Sequence, residues 1–343
     1  MNFRKEKKII IIISIGVLLL AAAVLVFLLR LNIFNDNCLD ENEIVKYEIS
    51  RKNRGLGDLG TKIVIFVFDK KTNVQKYSFQ IDDIFYNYRP VETQRCYIYA
   101  MRMFNYDYHQ LKQRPGFRIE LWKYSYNNQE KQIALLAENT QIGGTFFDYY
   151  SYDFRVDPTE KYIALTRGYK IPEHAVIIKS LETLKDDFVL PYADLIKNYP
   201  DWSGYQIDMN GWTKDGKYYW GDISDTAYRL AFFRIEAGTW KWEVFPAPEG
   251  IMGGDALNPE RGMVTYRLGA PWTADADFDQ MYREEWKKEG KKVPFYVYNL
   301  ITKEKTLLAE IDDPIWYFKP KWISDTELEY YLPGDKRGVY EVK

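Results

Sequence analysis

Carboxylates are the one chemically capable group this chain supplies in quantity, with 49 Asp and Glu against two His and two Cys in 343 residues. A pair set roughly 5–10 Å apart can cleave a glycosidic bond, but the fold decides which pair that is. Asp222, Asp225 and Asp255 follow or flank strands predicted to lie innermost, although acids of ordinary turns explain them equally. Asp275-Ala276-Asp277-Phe278-Asp279 alternates as a calcium loop would. Gln280 stands where that loop needs Gly and Trp286 where it needs Glu, so these aspartates are read as capping a short helix over 280–288. His109 and His174 lie 65 residues apart, outside any metal-spaced pair, and each is read as a satisfied loop histidine.

The remaining signatures are missing. There is no G-x-S-x-G, no Walker loop and no G-x-G-x-x-G; Ser203-Gly204 has no nucleophile context, and Gly143-Gly144 and Gly253-Gly254 read as inter-strand turns. Tyr149, Tyr150, Tyr152, Trp202 and Tyr205 could stack on sugars or peptides, with packing between sheets the simpler account. Cys38 and Cys96 are too few for a disulfide scaffold. An oxidising exterior would permit one bridge between them, but the preferred reading makes Cys96 a free buried thiol on an apolar strand. No catalytic, cofactor-binding or metal residue is assigned, no cofactor is expected, and binding is favoured over enzymatic activity.

The elements that must position these residues begin with an anchor. Residues 9–29 are an apolar run broken only by Ser14 and Gly16. At about 1.5 Å per helical residue it spans the roughly 30 Å core of a bilayer. Arg4, Lys5, Lys7 and Lys8 precede it and Arg30 alone follows closely, which predicts a cytoplasmic tail (1–8) and an exported remainder. A cleaved signal peptide has a shorter apolar region and small residues at its exit; 30–37 (Arg-Leu-Asn-Ile-Phe-Asn-Asp-Asn) has none, and Asn37 is too large to precede a lipidated cysteine. A buried core helix is disfavoured because six turns stay apolar all round. A polar stalk (30–45) and a domain (46–343) follow.

With 47 basic and 49 acidic residues the net charge is −2, which excludes an electrostatic footprint for nucleic acid. Aromatic residues make up 17%, a composition that favours strands. Hairpins are predicted where apolar runs bracket polar turns: 62–68 with 74–79, 118–124 with 131–136, 176–179 with 188–190, 229–235 with 240–245, and 295–299 with 305–308. Between them recurs a polar turn feeding an aromatic-rich strand. Its clearest copies are Val156-Asp157-Pro158-Thr159-Glu160-Lys161-Tyr162 and Trp212-Thr213-Lys214-Asp215-Gly216-Lys217-Tyr218, with weaker ones at 91–99, 257–266 and 322–331. Equivalent positions fall at 95, 161, 217, 262 and 327, 45 to 66 residues apart, which suits sheets stacked as repeats with insertions.

This unit resembles the Ser-Pro-Asp-Gly-Lys turn of TolB-like, WD-type β-propellers, and Thr213-Lys214-Asp215-Gly216-Lys217 keeps both Asp-Gly and Lys. The resemblance covers about 46–343 and implies an all-β fold, a β-propeller. Counting one partial, four fuller and one last unit gives about six blades, with five or seven as alternatives, behind the single transmembrane helix read above; a β-sandwich is the alternative fold. An N-terminal strand is expected to complete the last blade and close the ring. Fold, anchor and the missing catalytic signatures together lead to the expectation of a membrane-anchored, extracytoplasmic binding or scaffolding module with an envelope protein or polymer as partner. The alternative is a hydrolase or lyase with acids in the axial pocket; convergent carboxylates at the axis would favour it, and an apolar or mixed-charge face would favour binding. The helical insertion at 270–292 is expected to project from one face and contribute to partner contact, with a passive surface elaboration as the alternative.

Overall fold

The computed structural model describes residues 38–51, 60–85, 91–107, 112–126, 130–138, 153–167, 174–199, 206–224, 230–249, 251–270 and 276–342. The expected span over 9–29 lies outside them, and among the described residues no helix is long and apolar enough to cross a membrane.

The chain is mostly β. The first sheet holds β1 (Glu43–Arg51), β2 (Gly60–Asp69), β3 (Gln75–Phe85), β4 (Val91–Thr93), β5 (Tyr97–Asp107), β6 (Lys112–Ser125) and β7 (Glu130–Glu138). The second has β8 (Phe154–Val156), β9 (Tyr162–Arg167), β10 (Ala175–Ser180) and β11 (Asp186–Pro191), followed by the single turn α1 (Tyr192–Leu195). The third comprises β12 (Gln206–Trp212), β13 (Tyr218–Ser224), β14 (Leu230–Glu236) and β15 (Trp242–Pro246). β16 (Ile251–Asn258), β17 (Met263–Arg267), β18 (Val293–Asn299) and β19 (Lys305–Ile311) form the fourth, with α2 (Ala276–Glu289) inserted between β17 and β18. β20 (Lys321–Trp322), β21 (Glu327–Leu332) and β22 (Lys336–Glu341) form the last. All pairs are antiparallel, and the last four sheets are simple meanders in chain order.

Side-chain alternation explains the strands. Ile63, Ile65 and Val67 of β2 are fully buried while their neighbours are half-buried, the period of two that a sheet imposes. Cores form between successive sheets. Met101, Ile119 and Leu121 meet Ile163, Leu165 and Ile177; Val176, Ile178 and Leu190 meet Tyr219, Phe233 and Ile235; Trp220 and Phe232 meet Val264 and Leu300. Each such side chain contributes about 1.5–3 kcal/mol on burial. Aromatic stacking adds to these contacts, with Phe188 on Trp240 at 5.8 Å and Phe295 on Phe318 at 4.3 Å.

All five polar turns expected from the sequence connect the first strand of a meander to its second, and they grip one another in succession. Glu92 accepts from the amide of Val156 (2.9 Å), and Glu160 from that of Cys96 (2.9 Å). Asp157, itself accepting from the amides of Thr159 and Lys161, is so close to Gly216 that a Cβ there would lie 2.2 Å from its carboxylate. Glu160 and Gly216 hold the same left-handed turn position, with φ of 56° and 68°. The amide of Lys214 donates to Glu260, its ammonium pairs with Asp325 at 2.6 Å, and Asn258 donates to the Asp325 carbonyl (3.0 Å).

Three expectations change. The six expected units give five sheets among the described residues, because the strand pair Ile84–Arg102 joins β3 to β5 and one core holds Ile63, Ile65 and Val67 with Ile98, Ala100 and Tyr124. β1 pairs with β2 from Glu43 to Arg51, and no strand pair among the described residues links it to β22, so it does not complete the last sheet. Gly253-Gly254 lies within β16, in a stretch where the ladder shifts register between Met252 and Leu257, and is not an inter-strand turn.

Candidate functional site at the inner edge of the sheets

β8 and β12 are the edge strands of their sheets and touch each other, which brings together polar residues distant in sequence. Trp212 fixes the junction: its indole N–H donates to the Arg155 carbonyl (3.0 Å). The buried Arg155 guanidinium pairs with Asp153 (2.7 Å), donates to the Phe154 carbonyl, and reaches across to the Asn210 carbonyl (3.3 Å). Burial works against its charge, but Asp153 outweighs that and raises its pKa, so Arg155 stays a cation.

Asn210 is the extra residue of a β-bulge. Met209 pairs with Gly221 and Gly211 with Trp220, leaving Asn210 unopposed, and its amide nitrogen turns onto Asp222 at 2.8 Å. Bulges commonly re-aim a side chain in this way. Gly221 permits the close approach: a Cβ there would lie 2.3 Å from the Phe233 ring and 3.0 Å from the Asp208 carbonyl oxygen.

Asp222 is mid-strand and buried, on the face of β13 that also buries Trp220, and its strand partner across the ladder is the exposed Asp208. Burial first, then the Asp208 charge, push the Asp222 carboxyl up to about 8, while the Asn210 hydrogen bond pulls the other way. Near neutrality Asp222 is therefore mostly protonated and Asp208 faces solvent beside it. The arrangement offers a fixed cation–carboxylate pair, a neutral carboxyl held by an amide, and one exposed acid.

Other candidates fare differently. Asp222 was legible only as one of several turn acids, and that explanation fails here because it sits inside β13. Asp225, Asp275, His109, Ser203-Gly204, Gly143-Gly144, Tyr149, Tyr150, Tyr152, Trp202 and Tyr205 lie outside the described residues. Asp255 is on β16. His174 is buried and stacks on Tyr192 at 5.6 Å, and burial pushes it down to about 4, keeping it neutral. Asp277 and Asp279 stand in the first turn of α2, which runs over 276–289. No group of three or more His, Cys, Asp or Glu among the described residues is arranged to hold a metal. The reading of Cys96 as a free thiol is overturned: Cys38 and Cys96 are joined in a disulfide. A backbone hydrogen bond from Leu39 to the Arg95 carbonyl (2.8 Å) draws the two segments together beside it.

No protein-family model matches this chain, and no curated protein sequence does. Solved structures similar to it include β-propeller domains and TolB proteins. The β-propeller domain of the Trilobed protease from Pyrococcus furiosus has a TM-score of 0.47 at 11% identity, covering 88% of this chain and 79% of that one. Oligogalacturonate lyase from Vibrio parahaemolyticus has a TM-score of 0.44 at 10% identity, over 82% of this chain and 74% of that one. TolB from Acinetobacter baumannii has a TM-score of 0.31 at 10% identity, over 88% and 80%. At these scores the likenesses carry no functional argument, and the account of the site rests on its own geometry.

Proposed function

We propose that this chain is a membrane-anchored, extracytoplasmic β-propeller that serves as a binding or scaffolding module for an envelope protein or polymer. The meander sheets in chain order, the contact between the inner edges of β8 and β12, and the successive gripping turns support the propeller reading. The apolar run at 9–29 with its basic flank supports the anchor, a disulfide suits an oxidising exterior, and the exported domain is the part available to a partner.

The observation that carries binding is the mixed charge of the inner edge. Arg155 is neutralised by Asp153 and Asp222 is held by Asn210, so these groups are positioned rather than free to shuttle protons. Asp208 is exposed at the same edge, where a carboxylate can accept from hydroxyl or amide donors of a polymer or peptide.

One observation favours a hydrolase or lyase instead: a protonated Asp222 opposite Asp208 is the asymmetry that acid–base pairs exploit. The full chain in detergent, offered acidic polysaccharides, cell-wall fragments and peptides, separates the two readings. Binding without turnover, weakened by Asp208→Ala, is the expected result. Turnover abolished by Asp222→Asn would replace the binding reading with the enzymatic one.

A further inference from the structure

The strand order sorts the connections to two opposite ends of the domain. One end carries the gripping turns, and the outer hairpin turns lie beside them. Leu181 donates to the Lys161 carbonyl, Ala237 to that of Lys217 and Leu300 to that of Gly262, each at 2.8 to 2.9 Å. The Asp69–Asn73 turn belongs to the same end, because Lys70 donates to the Asn42 carbonyl (2.7 Å) and Glu43 pairs with Asp69. The other end carries the β9–β10, β13–β14 and β17–β18 connections, the last of which contains α2.

Cys38 is fastened to the first of these ends. Its disulfide goes to Cys96 in the turn between β4 and β5, and Leu39 donates to the Arg95 carbonyl in that same turn. Only residues 30–37 separate it from the apolar run ending at Leu29. At 3.3–3.6 Å per residue that chain reaches about 30 Å at most. A tether this short, pinned to the rim of one end, limits which end can turn to the bilayer.

We infer that the turn end of the domain faces the lipid surface, held there by the Cys38–Cys96 bridge, and that the end bearing α2 is presented outward to partners. The inference rests on the anchored reading of 9–29. It gives the insertion a role: α2 buries none of its residues fully and leaves Phe278 (51% exposed) and Met281 (47%) open, while Trp286 packs back against the Phe295–Phe318 core and Arg283 pairs with Asp313 at 3.2 Å. A helix secured through Trp286 and Arg283 that still exposes Phe278 and Met281 among charged residues, on the end remote from lipid, suits contact with a protein partner. Asp208 sits on the same side of the inner edge, two residues after β12 begins at that end.

The test is energy transfer from the full chain to the bilayer. A donor fluorophore is attached at Arg261→Cys on the turn end or at Lys287→Cys on α2, and the chain is reconstituted in liposomes carrying a headgroup-labelled acceptor lipid. Along the five residues of β17 (Met263–Arg267) the two ends are separated by about 17 Å, at about 3.3 Å per residue. A loss of donor emission at position 261 that exceeds the loss at 287 is expected, with the difference shrinking in the Cys38→Ser/Cys96→Ser background. Equal losses, or a greater loss at 287, would overturn the orientation. A difference that persists without the bridge would overturn the role of the disulfide. Failure of the chain to float with the liposomes would refute the anchored reading itself, a result distinct from the other two.

Discussion

Replacing Asp222 with Asn tests whether the inner edge holds a buried acid in its neutral form. Between about pH 4 and pH 8 the folded chain keeps a proton at Asp222 that the unfolded chain releases. The folded state therefore binds more protons over this window, and the contribution of the site to stability falls as pH rises. Each pH unit corresponds to about 1.4 kcal/mol. The full interval from 3.8 to about 8 is then at most about 6 kcal/mol, and we expect about 2–4 kcal/mol after relaxation around the Asp208–Asp222 pair. Asn keeps the shape and an oxygen to accept from Asn210 but has no charge to bury. Asp222→Asn should thus be within about 1 kcal/mol of the wild type at pH 4 and more stable by about 2–4 kcal/mol at pH 8. In a domain of this size that is a rise in Tm of roughly 3–6 °C. Thermal or urea unfolding of both proteins across pH 4–8.5 reads the difference, which removes titrations common to both. A difference that does not change with pH, or a variant less stable than the wild type at pH 8, would refute the reasoning.

Removing the bridge with Cys38→Ser/Cys96→Ser releases a loop of 58 residues and should cost about 4 kcal/mol by the chain-entropy relation, measured by denaturant unfolding; a cost under about 1 kcal/mol would contradict it. Gly216→Ala combines a left-handed backbone with a Cβ against Asp157 and should destabilise by about 2–4 kcal/mol in the same assay. Lys52→Cys should react with a membrane-impermeant thiol reagent in intact cells while Asn2→Cys should not, and equal labelling would contradict the single-span topology.

The sequence made the hairpins legible because alternation of apolar residues is local. Runs 62–68 with 74–79 and 229–235 with 240–245 overlap β2–β3 and β14–β15, to within one or two residues at the ends, for that reason. The gripping turns were legible because Asp, Asn, Thr and Gly are needed where a short turn must satisfy its own amides, as Asp157 and Asp215 do. The α2 insertion stood out as a charged run between two strands. What escaped was set by contacts between distant segments. Cys38 and Cys96 are 58 residues apart, and only the return of the chain onto the 94–96 turn makes them neighbours. Fusion of the first two repeat units depends on the single Ile84–Arg102 pair. The inner-edge cluster needed two sheets to meet, and its one local sign was an acid at position 222 where the alternation of Trp220 called for an apolar residue.

The central claim is that the inner edge, around Asp208, is where this anchored domain meets an envelope partner. Placing a photo-crosslinking side chain at position 208 of the full chain and irradiating intact cells tests it directly. The account predicts a discrete adduct from 208, competed away by excess wild-type protein and absent from an otherwise identical probe at the outer-strand position Val189, which is also exposed. No adduct at 208, or equal adducts at 208 and 189, would contradict it.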